Sequence, residues 1–156
     1  MNKKILIVAA LLMVVCVGGA FAWGIGIQGG YGYPPFGSGA LTFKLDSVPF
    51  VFATNFTFDG GFGIGLTGDY WFLNDNIVGP LNWFLGAGAG ISIGFQDPFS
   101  LGLEARLPIG LNMYFLDGFI EPYVQAVPLL RLHILPEFGK GQIFGVAGNI
   151  GIRFWF

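Results

Sequence analysis

The stretch Phe144-Gly-Val-Ala-Gly-Asn-Ile-Gly-Ile-Arg-Phe-Trp-Phe156 decides the fold. Phe144, Val146, Ile150, Ile152, Phe154 and Phe156 fall on every second position, while Asn149 and Arg153 fall on the other parity. A period of two is that of a β-strand with unlike faces. The same parity recurs upstream. In 62–72, Phe62, Ile64, Leu66, Tyr70 and Phe72 oppose Gly63, Gly65, Thr67 and Asp69; in 101–115, Leu101, Leu103, Leu107, Ile109, Leu111, Met113 and Phe115 oppose Glu104, Arg106, Asn112 and Tyr114. Eight alternating runs are expected: 23–33, 39–46, 48–58, 62–72, 81–95, 101–115, 118–132 and 142–156. Turn residues such as Asp59-Gly60-Gly61, Gln96-Asp97-Pro98 and Asp117-Gly118 separate several of them.

Composition says which face meets what. The 156 residues are 54% hydrophobic and only 10% charged, with 27 Gly and 18 Phe, and the mean hydropathy is +0.69. Such a chain is richer in apolar residues than a soluble domain, and its enrichment suits strands rather than helices. The charges Lys44, Asp46, Asp69, Glu104, Arg106, Glu121, Arg131 and Arg153 fall on the polar parity; Asp59, Asp75, Asp97, Asp117, Glu137 and Lys140 fall in turns. A soluble sandwich would turn its apolar parity inward and need a charged exterior, which Gly, Ala, Thr and Asn do not supply. With the apolar parity outward, eight strands of Leu, Ile and Phe exceed any patch a soluble monomer tolerates. That face therefore meets lipid, and a closed barrel is the one sheet that satisfies its backbone there.

The N-terminal segment reads differently. Met1-Asn2-Lys3-Lys4, the apolar Ile5 to Val17, and Ala20-Phe21-Ala22 match a secretory signal peptide cleaved after Ala22, leaving 23–156 as the barrel. An uncleaved anchor of roughly 18 residues is the alternative, and lipidation at Cys16 another, though Val15 before it is bulky. After cleavage no cysteine remains, so the fold is held without disulfides.

On these residues the chain resembles the small eight-stranded outer-membrane barrels of the OmpX, OmpA transmembrane-domain and OmpW sort. The resemblance spans the mature chain and is one of pattern, with the terminal strand its most specific piece. It implies an all-β antiparallel up-and-down barrel in the bacterial outer membrane, with lipid and the barrel assembly machinery as partners, the latter reading Phe154 and Phe156. A monomer is expected, with no nucleic-acid partner, cofactor or metal. It also implies periplasmic termini. Connections 34–38, 59–61, 96–100 and 133–141 then face outward, and 46–48, 73–80 and 116–117 face the periplasm. In such barrels the external loops are the long ones, yet 73–80 is longer than 59–61.

Lys44, Asp46, Asp69, Glu104, Arg106, Glu121, Arg131 and Arg153 sum to zero and are expected to pair inside the lumen, because an unpaired charge there costs several kcal/mol. Counting back from the turns sets Glu104 opposite Arg131 and Glu121 opposite Arg153. A plugged barrel with a structural or surface-interaction role follows, Tyr114, Tyr123, Gln125 and Trp155 filling the remainder; a narrow pore is the other reading of the same charges. Pro108, Pro122 and Pro128 each remove a ladder donor, so a lateral seam between strands six and seven, passing small apolar compounds, is an alternative function. A third is a lipid-modifying enzyme using Ser100, His133 and Glu137 at the outer rim, although no local motif supports it.

Other motifs dissolve. Gly24–Gly29 and Gly63–Gly68 match G-x-G-x-x-G inside strands, where no helix can follow. His133 is the single histidine, too few for a transition-metal site. Asn55-Phe56-Thr57 is a glycosylation sequon whose Asn55 points into the lumen.

Overall fold

The computed structural model describes residues 22–33, 36–58, 61–139, 141 and 143–156. The expected signal segment, up to residue 21, and the charges Asp59 and Lys140 lie outside them. Among the described residues the strands are β1 (Trp23–Tyr33), β2 (Phe36–Leu45), β3 (Phe50–Thr57), β4 (Gly63–Val78), β5 (Leu81–Gly94), β6 (Ser100–Arg106), β7 (Ile109–Met113), β8 (Ile120–Leu135) and β9 (Phe144–Trp155). Each pairs antiparallel with its neighbours, and β9 returns to β1, so the sheet is closed. β6 and β7 both lie between β5 and β8. They are two halves of the expected sixth strand, divided at Leu107-Pro108, and the barrel therefore has eight staves.

Closure is made by Trp23 and Phe156. Trp23 N donates to Phe156 O at 3.1 Å and Phe156 N donates to Trp23 O at 2.9 Å. The alternation of the sequence becomes the two faces of the wall. Ile25, Ile27, Leu41, Phe43, Leu66, Leu103, Leu111, Ile150 and Phe154 are exposed on the outside, while Gln28, Thr42, Lys44, Asp69, Arg106, Asn112, Glu121, Asn149 and Arg153 are buried within. This inversion of a soluble fold leaves an apolar belt that only hydrocarbon satisfies. The core is the lumen, and an eight-stave barrel is just wide enough for its side chains to fill.

Glycine makes room where the filling is densest. A Cβ on Gly151 would collide with the Tyr123 ring, and one on Gly110 would stand 2.5 Å from Phe84 Cζ.

The segment 73–80 is mostly strand rather than a long inner loop. β4 runs past its last β3 partner, Tyr70, as far as Val78, pairing with β5 through register shifts at Trp71/Leu73 and Asn76/Val78. Stagger in a tilted barrel makes such an overhang, and Asn76 secures its turn by donating to Gly79 O at 2.8 Å and Leu81 O at 3.1 Å. Asp75, expected in a turn, therefore sits exposed near the end of β4. The inner connection shrinks to Gly79-Pro80, and the expected contrast with the outer turns disappears.

Candidate functional site: the filled lumen

The half of the lumen nearest Trp23 and Phe156 is organised around one carboxylate. β8 sets Glu121 opposite Arg153 of β9, and Glu121 is fully buried. Its Oε2 lies 3.1 Å from Arg153 Nη1 and accepts from Trp155 Nε1 at 3.0 Å. Its Oε1 accepts from Asn112 Nδ2 at 2.9 Å, and from Lys44 Nζ and the Tyr114 hydroxyl at 3.4 Å each. Donors thus come from β2, β7, β9 and the end of the β7 stave, so the network ties opposite walls together. Two cations face one anion here. The surplus charge meets ring faces instead: Lys44 Nζ stands 4.3 Å from the Trp71 ring centroid and 5.3 Å from that of Trp155, and Arg153 Cζ stands 4.0 Å from that of Tyr123. Cation–π attraction is strongest where such pairs are desolvated.

Farther out lies a second, neutral cluster. Arg106 Nε meets Asp69 Oδ1 at 2.9 Å, and its Nη1 meets Glu104 Oε1 at 3.1 Å. Glu104 Oε2 faces Arg131 Nη2 at 3.5 Å, the two residues being direct cross-strand partners. Between the clusters Trp71 and Phe84 stack in parallel, centroids 3.7 Å apart, beside Val51 and Tyr123. Tyr123 donates to Gln28 Oε1 at 3.0 Å, tying β8 to β1. Above this waist the other half opens into a cavity of about 200 Å³ of mixed lining, with Ser38, Asn55, Thr67 and Ser92 beside Ile91 and Val127.

The expected residues fall as follows. Lys44, Glu121 and Arg153 come together in the inner cluster, and Asp69, Glu104, Arg106 and Arg131 in the outer. Asp46 joins neither: β2 ends at Leu45, and Asp46 is exposed in the connection that follows. Parity continued past the end of the strand, but the wall did not. Without Asp46 the enclosed charges sum to plus one, not zero. Trp71 and Phe84 were not anticipated as lumen residues. Trp71 shares the parity of Asp69, and Phe84 that of Gly86, Gly88 and Gly90, which is the signal that places both rings inside.

Of the three prolines, Pro122 and Pro128 lie on β8, and Pro108 lies between β6 and β7. Pairing of β8 with β9 runs unbroken through Pro122 and Pro128. Toward β6 and β7 it is interrupted between Arg106↔Leu129 and Ile109↔Ala126, and again beyond Asn112↔Tyr123. One bond bridges the first gap, from Leu107 N to Pro128 O at 3.0 Å. Pro108 O accepts from Gly86 N at 2.8 Å. A residue's N–H and C=O point to the same neighbour, so the donor lost at Pro108 faces β5, whereas that lost at Pro128 faces β6. Pro108 itself is fully buried.

Phe154 points outward, 5.9 Å from Phe119; Phe156 packs on Trp23 at 5.0 Å. Ser100 lies opposite Gly94 and His133 opposite Gly102, and among the described residues no hydrogen bond joins Ser100 to His133. Glu137 is exposed in the β8–β9 connection. Gly24–Gly29 lies within β1 and Gly63–Gly68 within β4, and Asn55 donates to Thr67 Oγ1 at 3.4 Å.

No protein-family profile and no curated protein matches the sequence. Solved structures do. Neisserial surface protein A is similar with a TM-score of 0.59 at 12% identity, over 87% of this chain and 97% of that one. The N-terminal β-barrel domain of Pseudomonas aeruginosa OprF is similar with a TM-score of 0.51 at 17% identity, over 86% and 97%. The fold is thus that of the small outer-membrane β-barrels, and the apolar belt is that of a barrel that spans a membrane.

Proposed function

We propose that this barrel is a non-enzymatic structural or surface-interaction element of the bacterial outer membrane whose lumen does not conduct. The observation that carries the reading is Glu121, a fully buried carboxylate held by Lys44, Asn112, Tyr114, Arg153 and Trp155. The Trp71–Phe84 stack lies above it. An ion crossing the lumen would have to separate desolvated charges, each costing several kcal/mol to strand. The test is current through planar bilayers containing the purified protein. The plug predicts only bare-membrane leakage; steady unitary openings would refute it.

One observation favours a second reading, passage of small apolar compounds sideways. The two pairing gaps of β8 fall on the same seam, and an apolar hollow of about 710 Å³ beside it is lined by Leu111, Met113, Pro122, Val124 and Ile152. Replacing Pro122 and Pro128 together by Val, which returns two donors to this side of β8, should abolish uptake of an apolar solute into vesicles if the seam is the route. Uptake unchanged by that pair of substitutions would remove this alternative.

A further inference from the structure

We propose that Phe58, Phe62, Phe95 and Phe99, at the outer ends of β3, β4, β5 and β6, are membrane anchors set in the outer leaflet, so that this sector of the outer mouth is a lipid interface and offers no platform to an aqueous partner. Phe58, Phe62, Phe95 and Phe99 flank the two connections and touch in series. Phe58 lies 5.9 Å from Phe62, Phe62 stacks on Phe95 at 6.0 Å, and Phe95 meets Phe99 edge-on at 6.2 Å. All four are exposed, Phe58 at 70% and Phe95 at 58%. They continue the outward parity of Phe56, Ile64, Ile93 and Leu101 without a break. The ladder is therefore the upper edge of the lipid-facing belt, not a separate patch.

Spacing places it at the boundary. From Phe62 to Phe72, at the inner end of the belt, is about ten residues, or roughly 33 Å of strand; a tilt of about 40° reduces this to roughly 25 Å, the height of a barrel's apolar band. Residue type refines the depth. Girdles at the headgroup level favour Trp and Tyr, whose polar tips reach water, whereas these four rings have no polar atom and gain only by entering hydrocarbon. On β1, by contrast, the outward rings near the outer end are Tyr31 and Tyr33. The surface-interaction role proposed above then falls to the β1–β2 and β8–β9 connections.

Single cysteines at positions 58, 95 and 137, with Cys16 replaced by Ser, can be spin-labelled and the protein reconstituted in phosphatidylcholine vesicles. Glu137, a charged residue exposed in the β8–β9 connection, is the aqueous control. Labels at 58 and 95 should collide several-fold more with dissolved oxygen, and several-fold less with a water-soluble nickel chelate, than the label at 137. Equal nickel accessibility at all three would overturn the proposal. Phe99→Cys reads the same ladder should Phe58→Cys or Phe95→Cys fail to refold, which compact migration on unheated gels would reveal.

Discussion

Replacing Glu121 by Gln keeps the size of the side chain and removes the only carboxylate in the inner lumen cluster. Lys44 and Arg153, whose side chains are 7% and 1% exposed, would then face each other without an anion, and the new amide, keeping one acceptor oxygen, would turn its NH2 toward either the Trp155 or the Asn112 donor that now bonds Glu121. Breaking a buried pair by deleting one partner costs about 3–5 kcal/mol, and here two cations are stranded, so a loss of about 4 kcal/mol is expected. With a urea slope of about 1–3 kcal/mol per molar, the unfolding midpoint of the reconstituted barrel should fall by roughly 1.3–4 M. Tryptophan fluorescence is a suitable readout because Trp71 and Trp155 both pack against Lys44. Lys44→Met in the Glu121→Gln background should restore part of the loss, since it removes one of the two stranded cations. A midpoint shift equivalent to less than about 1 kcal/mol, the value of a solvated surface pair, would refute the claim that Glu121 is a desolvated hub.

Gly110→Ala should cost about 1–3 kcal/mol by overpacking against the Val124 carbonyl and Phe84, whereas Gly39→Ala, whose Cβ would meet nothing closer than 4.0 Å, should stay within about 0.5 kcal/mol; the same urea titration compares them. Leu103→Arg puts a charge on the lipid face and should destabilise by about 2–4 kcal/mol if that position is near mid-membrane; a neutral effect would mean that the face is solvated. Arg106→Gln, leaving Asp69 and Glu104 without their shared cation, should cost more than Arg131→Gln, because Arg131 is 23% exposed and Arg106 only 8%. If Phe156 is read by the assembly machinery, Phe156→Ser should lower the amount of folded barrel in cell envelopes while its purified form refolds in vesicles at an unchanged rate.

Parity carried most of the architecture because a barrel wall imposes one rule on every stave. β1 begins and ends where the alternation of 23–33 does, and the cross-strand partners Glu104↔Arg131 and Glu121↔Arg153 can be counted from the turns, since an antiparallel register is set by its hairpin. Parity says nothing about where a strand stops. Asn74-Asp75-Asn76 and Gly79-Pro80 have the chemistry of a loop, yet stagger draws the first three into the β4–β5 ladder. Asp46 keeps the inward parity but lies just beyond the wall. Trp71 and Phe84 carry the inward parity of Asp69 and Gly86, so their place in the lumen was legible; that the two rings stack across neighbouring staves was not, because parity fixes a face and not a depth. Pro108 announced an interruption in the sixth stave, but not that its missing donor faces β5 while that of Pro128 faces β6.

The central claim is that the chain is turned inside out, with its apolar parity in lipid and its polar parity enclosed. Intermolecular nuclear Overhauser contacts between lipid acyl protons and protein methyl groups, measured on the unsubstituted protein in bilayer discs, test it directly. Ile150, Ile152, Leu66 and Leu103 should contact acyl chains, while Val51, Val127 and Ala147, buried in the lumen, should not. Acyl contacts at Val51 and Val127, or their absence at Ile150 and Leu103, would contradict the account.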